Sequence, residues 1–438
     1  MRDPVLRVVL GGLVLAAVAT VVAVIVLWPS GEGRRTSIAA ADDLGLVTDR
    51  LAATVLEVSD GPCSYSTPEN PQDCRTLTLE LRDGPDAGAI VALPEVNITS
   101  DPSVPDFSVG DDIILGYEDD TDYYFYADRD RRPVLVWLAG LFALVVVALG
   151  RFRGVLALAA MGATLVILVG FVAPSVLDGN DPLLVSVVAA SAIAFISLYL
   201  THGFSPTTTV ALAGTLAALA LTLGLSWVFF ELARFTGLAT EEALLLPVIA
   251  ADLDVSGLLL GGAIIGALGA LDDVTVTQVA TVAELRRRSP GLASAELVGS
   301  GIRVGRDHIA STVNTLLLAY VGASMPLLLL FAVSDQSLVM VANSELIAVE
   351  IVRTLCGSMG LVAAVPITTL LAAAVLRPAG DEADSTGTLS PGEPEPSAGR
   401  EAAGDDAVTE PAAPPPEASA APPAPKPRWE DFGPQADD

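Results

Sequence analysis

What most constrains this chain is a succession of long apolar runs that carry few charges. They cover roughly residues 5–28, 133–150, 154–173, 183–200, 207–232, 257–283, 309–333 and 346–376. A helix needs about 20 apolar residues to cross a hydrocarbon layer of ~30 Å. Within lipid, a helix satisfies its own backbone polar groups where irregular chain cannot. The expected fold is therefore an all-α polytopic membrane bundle of about eight transmembrane helices. To it are added a small extracytoplasmic β domain and a disordered C-terminal tail.

The charge of the chain, −29 over 438 residues, lies mostly outside those runs. Residues 29–133 carry a net −14 and residues 379–438 a net −11. An acidic balance of this size argues against nucleic acid as a partner. It reads first as solubility and, as an alternative, as a local attraction for cations. The four expected divisions are a transmembrane anchor (1–28), a β-rich domain (29–132), a seven-helix membrane domain (133–377) and the tail (378–438). In the second division RLAATVLEV, RTLTLEL, AIVALPEV, VGDDIILGY and DYYFYAD alternate or cluster β-branched and aromatic residues between turn-formers such as DGPDAG. About five short strands suggest a small barrel or sandwich, an OB-like barrel among them. Cys63 and Cys74 sit in its polar part. Outside the cytoplasm they would close a short disulfide loop; inside it they would stay two thiols. The tail is rich in Pro, Ala, Glu and Asp and too poor in apolar residues to order itself. Trp429 and Phe432 near its end could form a docking motif.

Arginine placement orients the spans. Arg2 and Arg7 place the N-terminus in the cytoplasm, so residues 29–132 fall outside. Arg151, Arg153, Arg286, Arg287, Arg288, Arg303, Arg306 and Arg377 then fall inside, and the C-terminus with them. Between Leu244 and Ala283 the chain is too long for one crossing, at about 60 Å if wholly helical. The segment near 244–256, with Pro247, Asp252, Asp254 and Gly257 as breaks, is expected to be re-entrant or interfacial on the outer side.

The stretch GALGALDDVTVTQVATVAEL (266–285) sets adjacent aspartates in the middle of an apolar span. A carboxylate at the bilayer centre costs roughly 2.5–3.5 kcal/mol on insertion scales. On a helix Gly262, Gly266, Gly269, Asp273 and Thr277 share one stripe, which would let a neighbouring helix approach closely. Asp273 is expected to point into that contact, near the membrane midplane, with Asp272 rotated from it by about 100°. The candidate ion- or substrate-binding set is Asp273 and Asp272 with Thr277 and Gln278, joined from the next span by Asp307, His308, Asn314 and Thr315. His308, Ser311, Thr312 and Thr315 share a face and could extend a polar path from the cytoplasmic side. A bland alternative stands beside it: polar groups also fasten membrane helices, and threonines bond back to their own helix carbonyls.

No enzyme chemistry is evident, and no cofactor or metal is expected. HExxH, GxxxxGK[ST] and GxSxG are absent from the chain, and it holds two histidines. Adjacent aspartates on one helix also point in different directions, unlike the facing pair of an aspartyl protease.

Taken in order, HGFSPTTTVALAGTL (202–216), GALGALDDV (266–274), GRDHIASTVNTLLLAY (305–320) and VPITTLLAA (365–373) resemble the YibE/F family of bacterial integral membrane proteins, over most of residues 45–376. The resemblance implies a multispan protein of the bacterial plasma membrane and supplies no substrate. It maps the family's aspartate before Val onto Asp273, with Asp272 at a position not usually acidic. Gly305-Arg306-Asp307 and Asn314-Thr315 match the family pattern, whereas His308 and Ala310-Ser311 depart from it. The function expected is a secondary ion- or proton-coupled transporter or permease of a small solute. The alternative is a membrane-anchored sensor or assembly scaffold whose external β domain binds a protein partner.

Overall fold

The structure, a computed structural model, describes residues 4–46, 48–100, 104–118, 123–333 and 337–376. The expected disordered tail, with Trp429 and Phe432, lies outside the described residues.

Apolar residues with no internal break form the first helix, α1 (Pro4–Val26), and a short polar helix, α2 (Glu32–Asp43), follows it. Then comes the sheet: β1 (Asp49–Pro62), β2 (Asp73–Leu81), β3 (Ile90–Ala92), β4 (Val96–Asn97), β5 (Asp112–Glu118) and β6 (Tyr123–Arg129). All pairings are antiparallel, in the order β3-β2-β1-β5-β6, with β4 beside β2. Leu51, Ala53 and Val55 of β1 alternate inward, as do Leu77, Leu79 and Leu81 of β2 and Ile113 and Leu115 of β5. The described strands form one sheet whose end strands, β3 and β6, do not pair with each other. Loop residues Leu93 and Phe107 cover its apolar face, doing what a second sheet would do. A bulge between Val55 and Glu57 lets the long β1 serve both neighbours. Cys63 and Cys74 are joined in a disulfide, with 4.8 Å between their Cα atoms.

Two residues separate the helical part from β6. α3 (Arg132–Ile167) leads through a π-helical turn (Leu168–Val172) into α4 (Ala173–Leu177). This run would be about 69 Å long if straight, more than two hydrocarbon layers. It is not straight. Arg151 has φ 52° and ψ −132°, a conformation that L side chains rarely adopt. A Cβ at Gly154 would collide with the carbonyl oxygen of Val146, eight residues earlier, which a continuous helix would hold about 12 Å away. The chain therefore folds back at Arg151, and Gly154 is what permits the close approach.

The remaining helices are α5 (Pro182–His202), α6 (Pro206–Ala233), α7 (Glu241–Ile249), α8 (Val255–Arg288), α9 (Ser294–Ala323), α10 (Met325–Val333), α11 (Leu338–Asn343) and α12 (Glu345–Val375). Polar residues cap several of them: Asp181, Ser205, Thr240 and Asp254 each accept a hydrogen bond from a first-turn N–H. Pro247 lies inside α7, whose nine residues are too short to cross a membrane.

Among the described residues, six helices are long and apolar enough to cross a membrane, or seven when α9 and α10, bent by 64° at Ser324, count as one span. The chain is thus a multi-pass membrane protein. The sequence expectation of eight differs by the run 132–177, which counts once here because helix continues on both sides of Arg151. At the centre lies α8, packed by α5, α6, α9 and α12.

Candidate functional site

The helix contacts around α8 are made by small residues receiving hydroxyls. A Cβ on Gly261 would overlap Ser186 of α5, one on Gly214 of α6 would crowd Thr368 of α12, and one on Gly360 of α12 would overlap Thr222 of α6. Thr215 of α6 meets Thr275 of α8 at 2.6 Å between hydroxyl oxygens. Gln278 is buried where α8, α9 and α12 cross; its amide donates to Gly301 O at 2.9 Å and to Thr369 Oγ1 at 2.7 Å. Thr222 and Thr368 also donate back to their own helices, to Ala218 O and Ala364 O.

Asp272 is held differently. Helices α5 and α8 run side by side in the same direction. Ser186 meets Gly261 and, about three turns further along both helices, Ser197 meets Asp272. Ser197 Oγ donates to Asp272 Oδ2 at 3.0 Å. The other oxygen, Oδ1, is shielded from solvent and has no hydrogen-bond partner among the described residues. Leaving a buried acceptor unmatched costs roughly 1–3 kcal/mol, and more where it is charged.

Beside Asp272 opens a cleft of about 500 Å³ between α3, α5 and α8, lined by Arg153, Thr201, His202, Gly269 and Asp273 as well. Its position follows from the chain path. Arg153 stands two residues after the reversal at Arg151, and His202 is the last residue of α5. Thr201 Oγ1 donates to Ser197 O at 2.6 Å and lies 2.7 Å from His202 Nδ1. The cleft thus brings together two carboxylates, a guanidinium, an imidazole and two hydroxyls. Such a set can accept, hold and pass a proton, or surround a small cation. Among the described residues, no three His, Cys, Asp or Glu side chains cluster in a way that would hold a metal ion.

The structure places the adjacent aspartates the other way round from the expectation, with Asp272 at a helix contact. Asp273 is exposed, not engaged in a helix contact. The stripe it shares with Gly262, Gly266 and Gly269 is exposed, and at Gly266 the Tyr320 hydroxyl of α9 is what comes near. A Cβ on Gly262 or Gly269 would meet nothing within 4 Å. Thr277 donates back to Asp273 O, Thr312 to His308 O and Thr315 to Ser311 O, so these threonines serve their own helices. From α9, Asp307 and Asn314 are exposed and His308 is half-buried, its Nε2 without a partner among the described residues. None of the four α9 candidates, Asp307, His308, Asn314 and Thr315, lines the cleft of Asp272.

Sequence reasoning missed Ser197, Thr201, His202 and Arg153 as members of this site. A signal was present: Ser186 and Ser197 repeat on α5 with the spacing that separates Gly261 from Asp272 on α8.

In comparisons with known proteins, the family model described as YibE/F-like protein matches residues 138–378, more than half of the chain. No curated protein and no solved structure matches it.

Proposed function

The chain belongs to the YibE/F-like family, and from that premise we propose that it is a secondary ion- or proton-coupled permease whose coupling site is the Asp272 cleft. The observation that carries this reading is the unmatched Asp272 Oδ1, shielded at the wall of a cleft that also holds Asp273, His202 and Arg153. A merely fastening polar group is matched by its neighbours, as the amide nitrogen of Gln278 is by Gly301 O and Thr369 Oγ1. A proton arriving from the cleft can settle on Oδ1 while Oδ2 keeps its bond to Ser197. His202, at the rim, is the exposed titratable group through which it can arrive.

In this reading the membrane is the bacterial plasma membrane and the chain crosses it eight times. Residues 132–150 and 152–177 form separate spans on either side of the turn at Arg151. Both termini lie in the cytoplasm, with the sheet outside. The arginines of that turn and of the α8–α9 connection support this orientation through the positive-inside tendency. The short α7, between Thr240 and Ala250, is then an interfacial or re-entrant piece on the outer side.

The test uses the full chain in liposomes loaded with a pH-sensitive dye. A pH gradient is imposed and the small-molecule filtrate of a bacterial extract is added outside. The parent should collapse the gradient faster than empty liposomes, and Asp272→Asn should not, at equal insertion. Gradient collapse by Asp272→Asn at the parental rate overturns the assignment.

A further inference from the structure

A further cleft shares the Asp272 cleft's side of α8. The second, of about 290 Å³, lies nearer the start of that helix, between α7, α8 and α12, and is lined by Gly262, Glu345, Glu350 and Arg353 among apolar residues. Glu345 is committed to the chain itself: its Oε1 accepts from the N–H of Thr236 at 2.8 Å and of Gly237 at 2.7 Å. Glu350 and Arg353, one turn apart on α12, pair at 2.9 Å, and the shielded Nε of Arg353 has no partner among the described residues. The formal balance of this lining is one negative charge, two carboxylates against one guanidinium. The Asp272 cleft has the same balance with His202 neutral. Both clefts therefore favour cations over anions.

The clefts share a floor. Gly262 belongs to one and Gly269 to the other, two helical turns or about 10 Å apart on one face. Between them lies Gly266, where an added Cβ would reach a single neighbour, the hydroxyl of Tyr320 on α9, at 3.4 Å. No side chain rises from α8 at any of the three positions, and at the middle one the Tyr320 hydroxyl is the group that comes near.

Resting on the ion-coupled reading above, we propose that this face of α8 is the passage of a small monovalent cation, the proton included. Glu350 is its second station and Tyr320 the constriction between stations. Arg353 is then a tethered counter-ion that an arriving cation displaces from Glu350. The Tyr320 hydroxyl, both donor and acceptor, can relay a proton or strip and replace a water of a hydrated ion.

The test is cysteine accessibility in the full chain. Single cysteines replace Gly262, Gly266 or Gly269 in a Cys356→Ala background, with Cys63 and Cys74 left in their disulfide. Added side chains at Gly262 and Gly269 meet nothing within 4 Å, so these variants should insert normally. The probe is a membrane-impermeant cationic methanethiosulfonate applied to right-side-out and inverted vesicles. Gly262→Cys should be modified from one face and Gly269→Cys from the opposite face. Gly266→Cys should resist modification from both faces until Tyr320→Ala is added, and should then react. Tyr320→Phe, which keeps the ring, should leave Gly266→Cys protected. Modification of Gly262→Cys and Gly269→Cys from the same face, or of neither, overturns the passage. Reactivity of Gly266→Cys that ignores Tyr320→Ala overturns the constriction. The two-faced pattern without proton flux through Asp272 would leave the passage standing and remove the coupling site. Flux without the pattern would do the reverse.

Discussion

The sheet and the helical bundle are built from the same residue types turned opposite ways. In β2 the leucines Leu77, Leu79 and Leu81 face inward, while Arg75, Thr76 and Glu80 stay at the surface. The sheet's ion pairs, Arg75–Asp60, Arg82–Asp112 and Arg129–Asp111, lie at that surface too. In the bundle the outside is apolar, with Trp137 81% exposed, whereas Ser186, Thr215, Thr222, Thr275, Gln278 and Thr368 are buried. One physical rule produces both patterns once the solvent changes from water to hydrocarbon. Without a hydrophobic drive between helices, close packing and interhelical hydrogen bonds hold them together. Against this background Asp272 keeps a shielded Oδ1 without a partner among the described residues, whereas Thr215, Thr222, Thr275, Thr368 and the amide nitrogen of Gln278 are matched.

If the two regions obey different solvents, damage to one should spare the other. The largest effect is expected from breaking the disulfide: Cys74→Ser should destabilise the sheet by about 2–4 kcal/mol. Thermal melts of the full chain in detergent, followed by far-ultraviolet circular dichroism, should show the β signal lost early and the helical signal unmoved. Gly360→Val should do the opposite. Overlap with Thr222 forces α6 and α12 apart at a cost of about 1–3 kcal/mol, lowering the helical melting temperature while the disulfide-linked sheet persists.

The next effect lies where the regions meet. Asp178, after α4, accepts from Ser30 N–H, from Ser30 Oγ at 2.8 Å, from Gly31 N–H at 3.0 Å and from Gly33 N–H at 2.8 Å. Burial pushes its carboxyl up, but these donors prevail and hold it below the ordinary carboxylate range. Asp178→Ala should cost about 1–2 kcal/mol by analogy with a lost helix cap, read as faster proteolysis between α1 and α2 with both melts nearly intact. Thr275→Val, which removes the bond to Thr215 and keeps the shape, should cost the bundle only ~0.6 kcal/mol, measured by the same helical melt.

The smallest effect is that of pH on the sheet. The hydrogen bond from Arg75 lowers the pKa of Asp60. The pair therefore stabilises the sheet above the unfolded carboxylate value of about 3.9, and that contribution fades as pH falls through the lowered folded value. With 48% of the Asp60 side chain exposed, solvent screens most of it. The melting difference between the parent and Arg75→Gln should be small at pH 6 and vanish towards pH 2.

The spans were legible because hydropathy reports the solvent directly. The reversal at 151 was also legible, as a short charged gap before Gly154, although backbone geometry alone shows it as a turn within helix. The strands were legible from alternation, but the covering of the sheet was not, since Leu93 and Phe107 act from loops that carry no period. The site was legible to one residue's precision and no further. Asp272 and Asp273 differ by about 100° around α8, and which of them meets a neighbour depends on where α5 lies. The glycine stripe suggested a contact face; the bundle leaves it open and packs the face that bears Gly261 and Asp272.

The four bonds at Asp178 decide how a pull on the sheet is shared. Tension along the strand leading from β6 runs into α3 across two residues, Asp130 and Arg131. Tension along the other connection stops at α2, where one carboxylate pins the chain to the turn before α5. The anchor helix α1 is thereby sheltered from load, and the turn that opens α5, the helix carrying Ser197 and His202, receives it.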